Sequence, residues 1–178
     1  MLNLKIIGGR LKNRNIKVPE SARPVTTRVK TTIFDIISEI VEGARVLDLF
    51  AGSGNLGIEA LSRGAEFAVF VDHNKESTRL IKENLKSLNL EEEGEVILAD
   101  YKGYLKKSGD VFDIIFLDPP FNLIHDLNLK FLLGHISENG IIVLKVEDNS
   151  KIKVPESLEV VRHKKIGINE VYFIRKFN

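Results

Sequence analysis

The sequence has no cysteine and no tryptophan, and it holds one methionine and five prolines. Without cysteine there is no disulfide framework and no thiolate zinc site. That composition suits a reducing compartment, so a cytoplasmic location is expected. No apolar run approaches the roughly 18 residues that a membrane span requires. The opening Met1-Leu2-Asn3-Leu4-Lys5-Ile6-Ile7 is too short and too soon charged for a signal peptide. His73, His125, His135 and His163 show no ligand spacing, so no metal is expected. Internal repeats and low-complexity stretches are missing as well.

What is present is a chain of 178 residues, 43% hydrophobic and 29% charged. That is enough for one domain with a sizeable core and a small appendage, and a monomer is expected. The net charge of +1 conceals an uneven distribution. Residues 1–30 carry eight Lys or Arg against the single acid Glu20, and residues 151–178 carry seven against three. The stretch between is strongly acidic. Basic ends on an acidic body point to a polyanionic partner.

The hydrophobic pattern divides the chain at residue 43. Residues 4–18 read as a hairpin turning at Gly8-Gly9, and Thr27 to Val41 as a helix with Ile33, Phe34, Ile36, Ile37 and Ile40 on one face. Segment 1–43 is thus an N-terminal extension of basic hairpin plus helix. From 44 to 178 short apolar strands alternate with helices. Strands are predicted at 45–50, 67–71, 95–98, 113–117 and 140–146, and helices at 55–63, 75–89, 101–107 and 123–135. Strands this continuously apolar are buried on both faces, and a β-α-β rhythm gives a parallel sheet. Residues 157–162 and 170–176 are two strands without a helix between them, hence an antiparallel end hairpin. The expected fold is α/β, a doubly wound, mostly parallel sheet of seven strands.

Gly52-Ser53-Gly54-Asn55-Leu56-Gly57 matches G-x-G-x-x-G, a weak signal for a dinucleotide site by itself. Asp48, inside the preceding strand, changes the reading. A carboxylate there repels a pyrophosphate but suits the methionine ammonium of S-adenosyl-L-methionine. Asp72 ends the next strand, where a carboxylate accepts ribose hydroxyls. Asp100 ends the one after and can accept an adenine amino group. The candidate cofactor residues are therefore Asp48, Phe50, Ala51, Gly52, Gly54, Asn55, Asp72, His73, Asn74, Asp100 and Tyr101. A nicotinamide oxidoreductase would need a catalytic His, Tyr or Lys set, and none is evident. Taken singly, Asp72 and Asp100 are also good helix caps.

Asp118-Pro119-Pro120-Phe121 follows a buried strand and supplies the candidate catalytic residues. An exocyclic amine on a nucleobase is a poor nucleophile, because its lone pair is delocalised into the ring. Acceptors at the Asp118 side chain and the Pro119 carbonyl would favour a pyramidal nitrogen. The prolines stiffen the backbone, and Phe121 can stack on an extruded base.

These motifs resemble the class I methyltransferases with a D/N-P-P-Y/F loop, which act on exocyclic nitrogens. More narrowly, nearly the whole chain resembles the bacterial 16S rRNA guanine-N2 methyltransferases of the RsmD type. The resemblance lies in Ile6-Ile7-Gly8-Gly9-Arg10-Leu11-Lys12, in Arg23-Pro24-Val25-Thr26-Thr27-Arg28-Val29-Lys30 with Ile33-Phe34, in the run from Asp48 to Ala65, in Val71-Asp72-His73-Asn74, and in Asp118-Pro119-Pro120-Phe121. It implies a Rossmann-like fold, S-adenosyl-L-methionine as cofactor with S-adenosyl-L-homocysteine as product, and a 16S rRNA substrate within a partly assembled small subunit. It implies that Asp118 and Phe121 handle the guanine and that the N-terminal extension grips RNA. The candidate RNA contacts are Arg10, Lys12, Arg14, Arg23, Thr26, Arg28 and Lys30, with Lys164 and Lys165 between the last strands as weaker ones. This sequence has Thr27 and Thr31 where the family usually carries acids, and Asn122-Leu123-Ile124-His125 where it tends to have a glycine-containing loop. An adenine-N6 methyltransferase acting on DNA or RNA would use the same loop, and an RNA-binding assembly factor without activity is the non-enzymatic alternative.

Overall fold

A computed structural model describes residues 1–20, 22–147 and 152–177. Its centre is a seven-stranded sheet in the order β5-β4-β3-β6-β7-β9-β8. The first five strands in that order are parallel: β5 Gly94–Leu98, β4 Phe67–Asp72, β3 Arg45–Asp48, β6 Phe112–Leu117 and β7 Ile136–Glu147. β9 (Asn169–Lys176) lies antiparallel between β7 and β8 (Leu158–Ile166). The doubly wound sheet and its reversed terminal hairpin are as expected. Chain order reverses between β3 and β6, which opens a crevice at their carboxyl ends.

Alternation along each strand sorts the core into two layers. Val46, Phe70, Phe116, Val143 and Phe173 face one side, under α1 (Thr27–Ile36), α2 (Asn55–Ser62) and α3 (Lys75–Leu88). Leu47, Val71, Ile115, Leu144 and Ile174 face the other, under α4 (Tyr101–Lys107) and two 3-10 turns, Phe121–Asp126 and Leu129–Leu132. The helix predicted at 123–135 is absent. Its apolar spacing is helical, but Asn128 caps the second short turn by accepting from Lys130 N–H at 3.0 Å, and β7 begins at Ile136. α1 also ends early. Beyond Ile36 the Ser38 hydroxyl donates to the Asp35 carbonyl, an alternative to the helix ladder.

The N-terminal extension packs into the same core. β1 (Leu2–Lys5) and β2 (Asn15–Val18) pair antiparallel, and Ile6, Ile16 and Val18 join the layer beneath α1 to α3. Gly8-Gly9 lies in the β1–β2 connection but is not a two-residue turn; the chain turns from Gly9 to Lys12, whose N–H donates to the Gly9 carbonyl at 3.2 Å. Gly9, at φ +73°, sits so close to the Ser62 carbonyl that a Cβ there would lie 1.8 Å from its oxygen, and Arg10 N–H donates to that carbonyl at 2.7 Å. No helix among the described residues is long and apolar enough to cross a membrane.

Candidate active site

The glycine turn links β3 to α2. Gly52 and Gly54 are left-handed, at φ +56° and +79°, a conformation costly for residues with a Cβ. The glycines differ in purpose. A Cβ on Gly52 would meet nothing within 4 Å, because it would project into the crevice, whereas one on Gly57 would lie 2.3 Å from the Phe70 ring. Gly54 is buried against Ile58, Ile81 and Phe70; it shapes the turn and does not line the crevice. Gly52 N–H donates to Asp72 Oδ2 at 2.8 Å, and Asn74 N–H to Asp72 Oδ1 at 2.8 Å. Asp72 is thereby locked at the end of β4, with Asn74 capping α3.

Asp48 ends β3 and is buried. Its Oδ2 accepts from Gly57 N–H at 3.0 Å. Burial, with lesser contributions from Asp118 and Asp72, pushes its pKa up to about 7 against the one stabilising Gly57 bond. A pocket of about 160 Å³ is lined by Asp48, Phe50, Ala51, Gly52, Asn55 and Asp118. A larger cleft of about 490 Å³ adjoins it, lined by Phe50, Asp72, His73, Asn74 and the whole of Asp118-Pro119-Pro120-Phe121. Arg23, Phe50 and Asp118 belong to both linings, so the glycine turn and the proline loop open into one continuous space. A third hollow, about 550 Å³, takes in Phe50, His73, Asp100, Tyr101 and Pro120. There Asp100 caps α4 by accepting from Gly103 N–H at 2.9 Å, and Tyr101 stands beside Phe50 with ring centroids 5.4 Å apart.

Asp118 sits just beyond the end of β6, and its Oδ1 accepts from Lys145 Nζ at 2.8 Å. Burial raises its pKa; Lys145 works in the opposite direction. The carboxylate still faces the cleft, with its side chain 24% exposed. Lys145 is a cleft residue that the motifs did not disclose. Its signal was a lone cation in the apolar strand Ile141-Ile142-Val143-Leu144-Lys145-Val146, close to the sheet's carboxyl edge. Phe121 is 62% exposed, its edge against the His125 ring.

Several candidate residues have other duties. Lys30, expected to touch RNA, is buried: its Nζ donates to the Lys5 carbonyl and to Asn55 Oδ1, and pairs with Glu59 at 2.9 Å. Glu59 also accepts from Ile7 N–H and Arg63 Nε. This knot fastens the hairpin to α2, leaving Lys30 no surface for a phosphate. Asn55 is held the same way, since its Nδ2 donates to the Val25 carbonyl. Thr26 caps α1, Arg10 pairs with Glu93, and Arg14 donates to the Ser87 carbonyl at 3.1 Å. Lys12 and Arg28 are exposed and make no side-chain hydrogen bond or ion pair among the described residues. Arg23 stands at the mouth of the crevice, where Ala22, Pro24 and Val25 form one of its walls. No group of three acids or histidines among the described residues could hold a metal ion.

Comparison with known proteins gives the same picture. YlbH of Bacillus subtilis (strain 168) is 38% identical over 97% of this chain and 99% of its own length. Ribosomal RNA small subunit methyltransferase D of Escherichia coli (strain K12) is 33% identical over 92% of this chain and 85% of its length. The solved structure of yhhF from Escherichia coli superposes with a TM-score of 0.87 at 29% identity, covering 98% of each chain. Residues 4–175 match the model of the family described as Conserved hypothetical protein 95, and with a Rossmann-like sheet and a shared crevice between its two signature loops, this chain belongs to that family.

Proposed function

We propose that this protein transfers a methyl group from S-adenosyl-L-methionine to the exocyclic N2 of a guanine in 16S rRNA. The observation that carries the reading is the convergence of Asp48, Asp72 and Asp118 on one space beside the open side of Gly52.

The crevice fits the cofactor. Burial, with smaller contributions from Asp118 and Asp72, drives up the pKa of Asp48, as expected where a buried acid awaits a cationic ligand. Asp48 would hold the methionine ammonium, Asp72 the ribose hydroxyls and Asp100 the adenine end. When bound, the cofactor supplies an electrophilic methyl group on a sulfonium. The chain contributes orientation and exclusion of water. Asp118 and the Pro119 carbonyl accept N–H bonds from the target amine and aim its lone pair across the cleft. Burial raises the pKa of Asp118, and the Lys145 ammonium opposes that rise and favours the ionised form. An ionised carboxylate can accept two parallel N–H groups. The N1 and N2 edge of guanine presents such a pair, while adenine presents a lone pair at N1. Phe121, largely exposed, is free to stack on the base. The basic N-terminal extension, through Lys12, Arg23 and Arg28, would hold flanking phosphates.

Labelled methyl transfer to small-subunit particles, followed by mass mapping of the modified nucleotide, tests the reading. Label on an adenine N6, or none on rRNA, overturns it. Two substitutions separate the subsites. Gly52→Ala leaves the fold intact, because its Cβ meets only open space, at a conformational cost of about 1–2 kcal/mol; donor affinity is expected to fall roughly tenfold or more, as read by calorimetry with S-adenosyl-L-homocysteine. Phe121→Ala is expected to leave that affinity unchanged and to raise the KM for RNA about tenfold, the value of one lost base stack.

A further inference from the structure

The last hairpin carries charge that the chemistry at Asp118 does not use. In β8 only the terminal residues Leu158 and Ile166 are buried, and the seven between them are exposed. β8 is the outermost strand, bonded to β9 alone, and it bears Arg162, His163, Lys164 and Lys165 in succession. From sequence this strand is expected to end at residue 162, with Lys164 and Lys165 between the last strands; the structure carries it on to Ile166. The Arg162 and Lys164 side chains have no hydrogen bond or ion pair among the described residues. His163 lies flat against Tyr172, with ring centroids 4.3 Å apart and planes 10° from parallel.

Pairing register places this strand relative to the active site. Both β7 and β8 are antiparallel to β9, so they run in the same direction. Ile166 pairs with Asn169, which pairs with Glu147, so the β8–β9 turn emerges at the edge where Asp118 lies. Lys164 pairs with Val171, which pairs with Lys145, the partner of Asp118. Two strand spacings separate Lys164 from Lys145, about 10 Å. Arg162 and Lys164 share a sheet face with Phe173 and Val171, which belong to the core layer under α1 and the basic extension.

We propose that the β8 edge is a second contact for the substrate RNA, in which Arg162 and Lys164 take phosphates of the strand whose target base enters the cleft at Asp118. The proposal rests on the rRNA reading above. An exposed edge can also pair with a second copy of the chain. Here that pairing would set like charges against one another across the new ladder, and the register shift between Val160 and Arg162 twists the edge away from a flat partner. A polyanion makes the same charges favourable and releases its counterions on binding.

The test compares Arg162→Glu/Lys164→Glu with the control Lys106→Glu/Lys107→Glu, which reverses two exposed charges on α4, across the sheet. The reading is direct affinity for 16S rRNA between 50 and 200 mM salt, alongside KM, kcat and S-adenosyl-L-homocysteine affinity. The β8 variant is expected to bind RNA at least tenfold more weakly. Its slope of log affinity against log salt should be shallower by about one to two, the value of two phosphate contacts. Its kcat and cofactor affinity should be unchanged, and the control should behave as wild type. Unchanged RNA affinity in a variant that still binds the cofactor overturns the proposal, as does a wild-type dimer in sedimentation that the β8 variant dissolves. Should the glutamates prevent folding, Arg162→Gln/Lys164→Gln removes the same two phosphate contacts and should give a similar slope change with a smaller loss of affinity. Because affinity is read without methyl transfer, a β8-dependent slope in a protein that methylates no guanine would sink the guanine reading and leave this contact standing.

Discussion

Replacing Asp48 by Asn is expected to abolish donor binding and to make the protein more stable. The carboxyl pKa stands at about 7 in the folded chain, against 3.8 for a free carboxyl. Between those values the folded state holds a proton that the unfolded state has released, so stability falls as pH rises from about 4 to about 7 and stays low above. At pH 8 the buried charge costs on the order of 2–4 kcal/mol. Asparagine keeps an oxygen for Gly57 N–H and removes that charge. The melting temperature should rise by roughly 5–10 °C at pH 8 for a chain of this size, and hardly at all at pH 4, where Asp48 is already protonated. The same variant should lose at least about 100-fold in affinity for S-adenosyl-L-homocysteine, the value of a buried charged contact. Wild-type affinity should climb with pH until Asp48 is ionised and then level off, while the variant should be flat. Calorimetry and thermal melts at three pH values check both halves. A variant that keeps its affinity would show that the ammonium is held elsewhere.

Asp118→Ala should remove catalysis while sparing the donor. Losing a positioned acceptor in a desolvated site costs about 100- to 1,000-fold in kcat, and cofactor affinity should change by less than about threefold. Asp118→Asn should recover little of the rate, since the amide presents one oxygen and an NH2 donor and cannot accept the parallel N–H pair that the ionised carboxylate takes. Lys145→Met makes the complementary case. Burial raises the Asp118 pKa and Lys145 lowers it, so removing the cation should raise it further. Transfer needs the ionised form and fails as pH falls through that pKa. The acid limb of the pH-rate profile should therefore move to higher pH in Lys145→Met and vanish in Asp118→Asn. Single-turnover transfer to rRNA across the pH range would show it, and an unmoved limb in Lys145→Met would remove Asp118 from the chemistry.

Much of this was legible in the chain itself. Short apolar strands 67–71 and 113–117 announced a sheet buried on both faces, and the acids at their ends announced a crevice at its carboxyl edge. The segment 123–135 was misread because Leu123, Ile124, Leu127, Phe131 and Leu132 repeat at helical spacing. Two short 3-10 turns bury Ile124 and Leu132 and half-bury Leu123, Leu127 and Phe131, and periodicity cannot separate such turns from a helix. Lys30 illustrates a different loss. A lysine in a basic stretch looks like a phosphate ligand until α2 brings the buried Glu59 to within 2.9 Å of it.

By itself, then, the sequence determined the order of the strands, the glycine turn at Gly52 to Gly54, and the stiff loop after Asp118, because each depends on neighbours a few residues away. Only the tertiary structure decided that residues 22–25 wall the cofactor crevice, that Lys145 meets Asp118, and that Arg162 and Lys164 stand in rank with them on an open edge. Those relations come from register between strands far apart in the chain, which is set by how whole faces pack rather than by any local pattern.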